Sequence, residues 1–223
     1  MNIIKYPKMK TLFKLNEKEE GGNWSITTGE LLPETAALHY LPLEALTFTE
    51  KIDGTNMGVA IFDGEVKHIQ KRNHICKANE DKAYFEVGNK AIETIDKSVI
   101  TDIEYDALSN VIIYGELCGA GIQKGGNYFS DKRFLVFDIY NTQLNKFFTW
   151  DAVVYFCNLL GLETIPIIEY NKNDLNVENI KDFVINLKSV YNPEHNAEGI
   201  VIRYTSDTSA DKRWVAKIRR TDF

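Results

Sequence analysis

A short stretch of the sequence combines a lysine, an aspartate and a glycine in the spacing K-x-D-G. It runs from Glu50 to Asn56 as E-K-I-D-G-T-N, where one run of strand-forming residues ends and the next begins. Lys51 on a rigid strand could act as a nucleophile, and Gly54 would let the backbone approach a ligand closely. The spacing alone is weak evidence, because average residue usage produces it by chance in about one chain in twenty of this length. A solvated strand end with a turn glycine explains it as well.

Two carboxylates stand at the ends of otherwise apolar runs. Glu116 closes the run V-I-I-Y-G-E that begins at Val111, and Glu198 lies second in A-E-G-I-V-I, which begins at Ala197. A carboxylate buried in an apolar strand is costly unless it is paired or hydrogen-bonded. Glu116 is therefore expected to have a partner or a ligand, and Glu198 is expected at a strand edge.

Two cations share one face of the last predicted strand. A period of two from Trp214 to Arg219 places Lys217 and Arg219 on the face opposite Trp214. The two cations repel each other unless they meet an anion, although a solvated strand explains them too. The run F-L-V-F-D-I-Y from Phe134 predicts a mostly buried strand, whose aromatic rings serve either as core or as a surface for stacking on a base.

Short runs rich in Val, Ile, Phe, Tyr and Thr recur along the chain and are bounded by turn residues, which predicts strands. The dipeptide Asp63-Gly64 between two of these runs predicts a hairpin. The predicted strands are Leu46–Ile52, Met57–Phe62, Glu65–Arg72, Val111–Leu117, Phe134–Tyr140, Gly199–Tyr204 and Arg213–Arg219.

Apolar residues three and four positions apart predict three helices. The first carries Tyr84, Val87, Ala91, Ile95 and Val99, the second runs from about Asp151 to Leu160 with Gly161 as its stop, and the third carries Val177, Ile180, Val184, Leu187 and Tyr191. Hairpins with few helices predict an α+β fold of mainly antiparallel sheets flanked by helices. Residues 1–223 contain no repeat and no linker-like composition, which favours a single domain.

The composition limits the classes of protein to consider. A net charge of −6 argues against a protein that coats nucleic acid nonspecifically. The segment from Arg203 to Phe223 has six basic and three acidic residues, which leaves −9 for the remainder. The three cysteines form no C-x-x-C pair and the four histidines show no metal-ligand spacing, which favours a reducing cytoplasm without thiolate zinc. No apolar run is long enough for a transmembrane helix, and no signal peptide is evident.

Six short motifs in a fixed order resemble those of the covalent nucleotidyltransferases, which are the DNA ligases, RNA ligases and mRNA capping enzymes. The residues within these motifs are most similar to those of the RNA ligase 2 type, which includes phage RNA ligases and kinetoplastid RNA-editing ligases. The run from Gly119 to Lys124 separates this branch from DNA ligases. The motifs are E-K-I-D-G-T-N from Glu50, K-R-N from Lys71, Y-G-E-L-C-G-A-G-I-Q-K-G from Tyr114, F-L-V-F-D-I from Phe134, A-E-G-I-V-I from Ala197 and A-K-I-R from Ala216.

The resemblance implies a lysine nucleophile and an anion-binding set around it. Lys51 would attack the α-phosphate of ATP, release pyrophosphate and form a lysyl-adenylate. Lys217 and Arg219 would hold the α-phosphate. A free lysine has a pKa of about 10.4 and is mostly protonated at neutral pH. Nearby cations lower that pKa, so Lys217 and Arg219 would also favour the neutral, nucleophilic form of Lys51. Arg219 departs from the family pattern, which has lysine at both positions, but arginine keeps the charge and binds phosphate with two parallel hydrogen bonds.

The same resemblance assigns roles to the other motif residues. Glu198 would be the Mg²⁺ (or Mn²⁺) carboxylate, acting partly through water, and Asp53 would share the outer sphere of the metal. The nucleotide-binding residues would be Phe137 stacked on adenine, Glu116 on the ribose, Arg72 on the ribose or a terminal phosphate, and Glu50, Gly54 and Asn56 shaping the pocket.

The implied fold is the ATP-grasp-like nucleotidyltransferase domain of ligases, and the implied function is an ATP-dependent RNA ligase. It would join 3′-OH and 5′-phosphate RNA ends, preferably at a nick in a duplex, through an adenylylated 5′ end, as in phage-like RNA repair. We expect a monomeric catalytic domain that has no C-terminal OB-fold or helical domain and uses a partner for end recognition. The alternatives are a minimal ATP-dependent DNA ligase, a capping guanylyltransferase, and a non-catalytic nucleotide- or RNA-end-binding module.

Overall fold

The computed structural model describes residues 3–16, 27–101, 107–123, 128–171, 176–204, 209 and 213–223. These residues form two compact units. Unit 1 is built from the described residues within Met1–Pro7, Asp53–Ile165 and Thr208–Lys212, and unit 2 from those within Lys8–Ile52, Pro166–Asp207 and Arg213–Phe223. The prediction of a single domain stays a prediction, and each unit is described by itself.

The described strands and helices are short, and the runs of strands are interrupted by two pairs of α-helices. The strands are β1 (Lys10–Thr11), β2 (Phe13–Leu15), β3 (Thr27–Leu31), β4 (Leu46–Lys51), β5 (Thr55–Phe62), β6 (Glu65–Lys71), β7 (Val111–Gly119), β8 (Lys132–Asn141), β9 (Lys146–Phe147), β10 (Gly199–Tyr204) and β11 (Val215–Arg219). The α-helices are α1 (Lys82–Thr94), α2 (Lys97–Thr101), α3 (Trp150–Leu160) and α4 (Val177–Asn186).

Unit 2 is organised around a four-stranded sheet in the order β1-β11-β10-β4. The pairs β10–β11 and β10–β4 are antiparallel, and β1–β11 is parallel. The side chains of Phe48, Ile200 and Ile218 lie on one face and are almost fully buried in the core of the unit. Burial of each such side chain contributes about 1.5–3 kcal/mol. Helix α4 contributes Ile180 and Val184 to the same core.

Unit 1 contains a five-stranded antiparallel sheet in the order β6-β5-β7-β8-β9. Its central strands β7 and β8 are buried along most of their length, as their apolar runs predict. Helices α1 and α3 both contact β8. Helix α3 begins at the cap Thr149, whose side chain accepts a hydrogen bond from Ala152 N, and ends at Gly161 with φ of 69°.

The predicted α+β class is confirmed, and the predicted strands are present with small shifts of their ends. Asp63 and Gly64 have φ of 54° and 69°, and they join β5 to β6 as a hairpin. Among the described helices, none has both the length and the apolar character that are needed to cross a bilayer.

Two helix boundaries differ from the prediction. Val99 belongs to α2, because Asp96 accepts hydrogen bonds from Ser98 and starts a new helix after α1 ends at Thr94. Tyr191 lies beyond α4, which ends at Asn186. The short strands β1, β2, β3 and β9 were not predicted, because two to five residues carry too little periodicity to be recognised.

Candidate active site

Lys51 is the last residue of β4 and forms an ion pair within unit 2. Its Nζ donates a hydrogen bond to Glu198 Oε2 at 2.5 Å. The side chains of Lys51 and Glu198 are 18% and 24% exposed, so water still reaches both of them. The pair links the last position of β4 to the residue just before β10, and it joins two residues that the sequence places 147 positions apart.

Gly199 allows the strands beside this pair to approach closely. A Cβ atom at this position would lie 2.0 Å from Ile218 O, which no side chain tolerates. Gly199 is aligned with Lys51 on one side and with Arg219 on the other. The carbonyl of Glu198 accepts a hydrogen bond from Arg220 N at 2.8 Å, so its backbone is held against β11. The short motif E-G therefore positions a carboxylate at the start of β10, between β4 and β11.

Lys51, Lys217 and Arg219 share one face of the four-stranded sheet, which we name the Lys51 face. The alignment of Lys51 with Gly199 and of Gly199 with Arg219 establishes this placement, and Lys217 lies two residues before Arg219. Lys51 and Arg219 are two strand spacings apart, or about 10 Å between backbones. Long cationic side chains at that separation can reach a single anion.

The pKa of Lys217 is lowered from its ordinary value, chiefly by burial and further by the positive charges of Lys51 and Arg219. Glu198 and Asp222 oppose this effect. Among the described residues, no hydrogen bond or ion pair of the Lys217 ammonium is found. The Lys51 face therefore carries a half-buried cation whose charge is not compensated by a direct partner, which is a favourable place for an anion.

Arg219, in contrast, is tightly bound to a carboxylate of its own segment. Asp222 is buried, and its Oδ1 accepts hydrogen bonds from Arg219 Nε at 2.9 Å and Nη2 at 2.6 Å. Its Oδ2 accepts from Arg219 N at 2.8 Å. Asp222 is not among the site residues predicted from the sequence, although an aspartate three residues after a basic residue at a strand end is a detectable pairing pattern.

Glu50 lies on the opposite face of the sheet from Lys51. It is fully buried, and its Oε2 accepts a hydrogen bond from Val190 N at 2.9 Å. Burial raises the pKa of Glu50, while Ser189 and Val190 oppose the shift. The structure therefore does not bring Glu50 to the Lys51 face, because neighbouring residues of a strand point to opposite sides. The role predicted for it in nucleotide binding stays a prediction.

Asp53, Gly54, Asn56 and Glu116 lie in unit 1. Asn56 is aligned with Glu116 across β5 and β7, and Asn56 Oδ1 is a buried acceptor without a hydrogen-bond partner among the described residues. The backbone N–H of Asp53 donates to the Tyr128 hydroxyl at 3.1 Å, a contact that the sequence interpretation did not foresee. A Cβ at Gly54 would lie 2.5 Å from Leu117 O, so this glycine is required for packing against β7.

Arg72 and Phe137, also in unit 1, have contrasting environments. Arg72 follows the end of β6 and is exposed. Phe137 is buried, and its ring centroid lies 4.9 Å from that of Tyr6 in an edge-to-face arrangement. Tyr6 in turn donates a hydrogen bond to Asp138 Oδ2 at 2.6 Å. The predicted stacking of Phe137 on adenine stays a prediction, and Lys124 of the branch-specific run lies outside the described residues.

The predicted metal site rests on Glu198, with Asp53 in the outer sphere. In the described part of the chain, no cluster of three or more His, Cys, Asp or Glu side chains could hold a metal ion. A single carboxylate such as Glu198 suits Mg²⁺, because this ion keeps several waters and is bound through one or two protein carboxylates together with substrate phosphates. The donor set therefore fits a metal that arrives with its nucleotide.

The chain combines an α+β fold with a strand-end lysine that is paired with a carboxylate. A model of the RNA ligase family matches residues 44–219, which is most of the chain and covers β4 through β11. The chain belongs to the RNA ligase family.

Solved structures with the same fold include several of an RNA ligase from Naegleria gruberi. A mutant of that ligase in the apo form is 18% identical with a TM-score of 0.64, over 88% of this chain and 56% of that chain. A mutant with ATP and Mn is 20% identical with a TM-score of 0.63, over the same shares of the two chains. The ligase with pyrophosphate is 18% identical with a TM-score of 0.61, over 96% and 61%. This chain thus matches a little more than half the length of those ligase chains.

Proposed function

We propose that this chain is an ATP-dependent RNA ligase domain in which Lys51 is the nucleophile that accepts AMP. The observation that carries the proposal is the Lys51 face, where a strand-end lysine, a carboxylate and two further cations converge within one sheet. Membership of the RNA ligase family supports this interpretation, as does the fold shared with ligase structures that contain ATP, AMP and Mn.

In the first step, the lone pair of Lys51 Nζ attacks the α-phosphorus of ATP. An N–P bond forms, the bond from the α-phosphorus to the bridging oxygen breaks, and pyrophosphate leaves. The ammonium must first lose a proton, and Glu198 Oε2 is an acceptor at 2.5 Å from Nζ. Lys217 and Arg219 stabilise the negative charge that develops on the phosphoryl oxygens, which is the largest contribution that a preorganised site makes to such reactions.

Glu198 has a second task in this proposal. It would bind Mg²⁺ or Mn²⁺, with Asp53 in the outer sphere, and the metal would neutralise negative charge on the phosphates. The same carboxylate pairs with the Lys51 ammonium, so Glu198 would serve both the nucleophile and the metal.

The family resemblance assigns further nucleotide-binding roles to residues of unit 1. Asn56 Oδ1 offers an unused acceptor among the described residues, Glu116 would contact the ribose, and exposed Arg72 the ribose or a terminal phosphate. Adenine would stack on Phe137, which requires Tyr6 to leave part of that ring accessible to the base. We propose that AMP then passes to a 5′-phosphate of RNA and that a 3′-hydroxyl displaces it, most favourably at a nick in a duplex.

The deciding experiment is incubation of the protein with Mg²⁺ and α-labelled ATP, followed by a denaturing gel and acid treatment. An acid-labile label on the protein, absent from Lys51→Ala, is expected because a phosphoramidate forms at Lys51. A folded protein that binds ATP and never acquires the label would contradict the proposal. Sealing of a nicked RNA duplex, compared with the same nick in DNA, then decides which ends are joined.

A further inference from the structure

Asp222 holds Arg219 in a way that the predicted site did not include. Both oxygens of this buried carboxylate are engaged with Arg219, one with its backbone N–H and the other with Nε and Nη2 of the guanidinium. The Arg219 side chain is 23% exposed and that of Asp222 is 3% exposed. The arrangement fixes the guanidinium at the end of β11, on the Lys51 face.

An arginine can serve two anions at once, and a lysine cannot do so equally well. The guanidinium has five N–H groups in a fixed plane, and the contacts with Asp222 use two of them. Three N–H groups remain for a second acceptor. A lysine ammonium is a compact point charge on a flexible stem, and a neighbouring carboxylate would attract the whole of that charge.

We propose that Asp222 is the positioning residue for Arg219: it orients the guanidinium so that the remaining N–H groups bind the α-phosphate of ATP. This inference rests on the function proposed above and adds a residue to it. Asp222 also makes the departure from the family pattern understandable. With Asp222 present, arginine at position 219 keeps donors for the phosphate, whereas the lysine of the family pattern would be captured by the carboxylate.

A consequence is that the two positions depend on each other. Arg219→Lys is expected to be damaging here, although lysine is the residue of the family pattern. Removing the charge of Asp222 in the same protein is expected to release that lysine and recover part of the activity. Additive effects are expected for residues that act independently, and a rescue by the second substitution is the signature of direct coupling.

The test is the initial rate of lysyl-adenylate formation, measured over a range of ATP concentrations for four variants. We expect Arg219→Lys to lower the maximal rate by roughly 100-fold and Asp222→Asn by roughly 10-fold, with small changes in KM, because the lost contacts act in the transition state. The double variant is expected to be faster than Arg219→Lys alone, by roughly 10-fold. Arg220→Lys is the matched control with an unchanged rate, since its side chain is exposed.

The fold of Asp222→Asn is checked by its unfolding temperature. Asparagine keeps an acceptor for the backbone N–H of Arg219, and Asp222→Ser replaces it in the cycle if that variant unfolds. A purely structural role for Asp222 would lower the fraction of protein that becomes labelled, equally in the wild-type and Arg219→Lys backgrounds. Two outcomes would overturn this inference and leave the proposed function intact, provided that the wild type is labelled normally. One is that equal loss of labelled protein in both backgrounds, and the other is additive effects of the two substitutions on the rate. A wild type without label would overturn both.

Discussion

Two strand-end lysines, one in each unit, form ion pairs of equal length in different surroundings. Lys51 ends β4 and Lys71 ends β6, and in each pair the distance from Nζ to a carboxylate oxygen is 2.5 Å. The partner of Lys71 is the buried Asp81, which also accepts a hydrogen bond from Lys77 N at 2.9 Å. Lys71 Nζ lies 4.6 Å from the centroid of the Tyr84 ring, and its cation is thereby further compensated.

The two ion pairs have the same distance between Nζ and the carboxylate oxygen, but they differ in the balance of positive and negative charge around them. Hydrogen bonding with Asp81 is the largest cause of the raised pKa of Lys71, and Lys71 likewise lowers the pKa of Asp81. Each stabilises the charged form of the other, as in a structural ion pair. On the Lys51 face, Lys51, Lys217 and Arg219 instead lie near the carboxylates of Glu198 and Asp222, and the pKa of Lys217 is lowered. An excess of half-buried positive charge indicates an anion site, and a balanced pair does not.

Removal of each lysine in turn should give the largest difference between the two ion pairs. Lys51→Ala is expected to abolish labelling by α-labelled ATP completely, because the nucleophile is lost, while the protein stays folded. Lys71→Ala is the matched variant and is expected to be labelled. The measurement is the label per folded protein after a denaturing gel. Label on a folded Lys51→Ala protein would show that another residue is the nucleophile.

The next effect in size concerns the carboxylate of the Lys51 pair. Glu198→Gln keeps the size of the side chain and removes its charge, so both the proton acceptor and the proposed metal ligand are weakened. We expect the labelling rate to fall by roughly 100-fold and the metal concentration for half-maximal rate to rise. Glu163→Gln, at an exposed carboxylate that is paired with Arg133, serves as the control. An unchanged metal dependence in Glu198→Gln would place the metal elsewhere.

Local patterns in the sequence were sufficient to predict the framework of the site. The run G-I-V-I-R-Y predicted β10 with the observed ends, Gly199 and Tyr204. The alternation in β11 correctly predicted that Ala216 and Ile218 share the face opposite Lys217, and this shared face is buried in the structure. These features depend on the period of two in a strand, which neighbouring residues encode without any knowledge of the tertiary structure.

Pairings between distant segments were not predictable in this way. The parallel pairing of β1 with β11 and the placement of Tyr6 against Phe137 join distant parts of the sequence, and two-residue strands leave no periodic signal. The position of Glu50 is a different case. Because Glu50 directly precedes Lys51 in a strand, its side chain was already expected on the opposite face of the sheet. The family resemblance nevertheless assigned both residues to one nucleotide pocket.

Lys217→Met tests the excess of positive charge on the Lys51 face through the stability of the protein. The half-buried ammonium is penalised by burial and by Lys51 and Arg219, so a neutral side chain of similar length should raise the unfolding temperature. The labelling rate should fall by roughly 10- to 100-fold, because a phosphate-binding cation is lost. A variant that is both less stable and fully active would contradict the role assigned to this residue.

The rise in unfolding temperature expected for Lys217→Met should depend on pH in a defined direction. Because the pKa of Lys217 is lower in the folded than in the unfolded protein, the unfolded state binds more protons between the two values. The stability of the wild type should therefore rise as pH increases through this interval, toward the ordinary value of about 10.4. Thermal unfolding across this range should show a smaller advantage for Lys217→Met at higher pH. An advantage that grows with pH would contradict the burial of a charged Lys217.

The smallest effect is expected at the balanced pair. Lys71→Met should lower the unfolding temperature slightly near neutral pH and leave the labelling rate nearly unchanged.

The lowered pKa of Asp81 means that its stabilising contribution is present above about pH 3.9 and is lost as pH falls through the lowered value. The raised pKa of Lys71 means that its contribution is present below about pH 10.4 and is lost as pH rises through the raised value. The difference in unfolding temperature between wild type and Lys71→Met should thus be largest between these two pH limits. Lys67→Met is the control and should show almost no difference, because its partner Glu65 is exposed. A loss of labelling in a folded Lys71→Met protein would mean that the balanced pair also takes part in the chemistry, and that charge balance alone does not separate the two lysines.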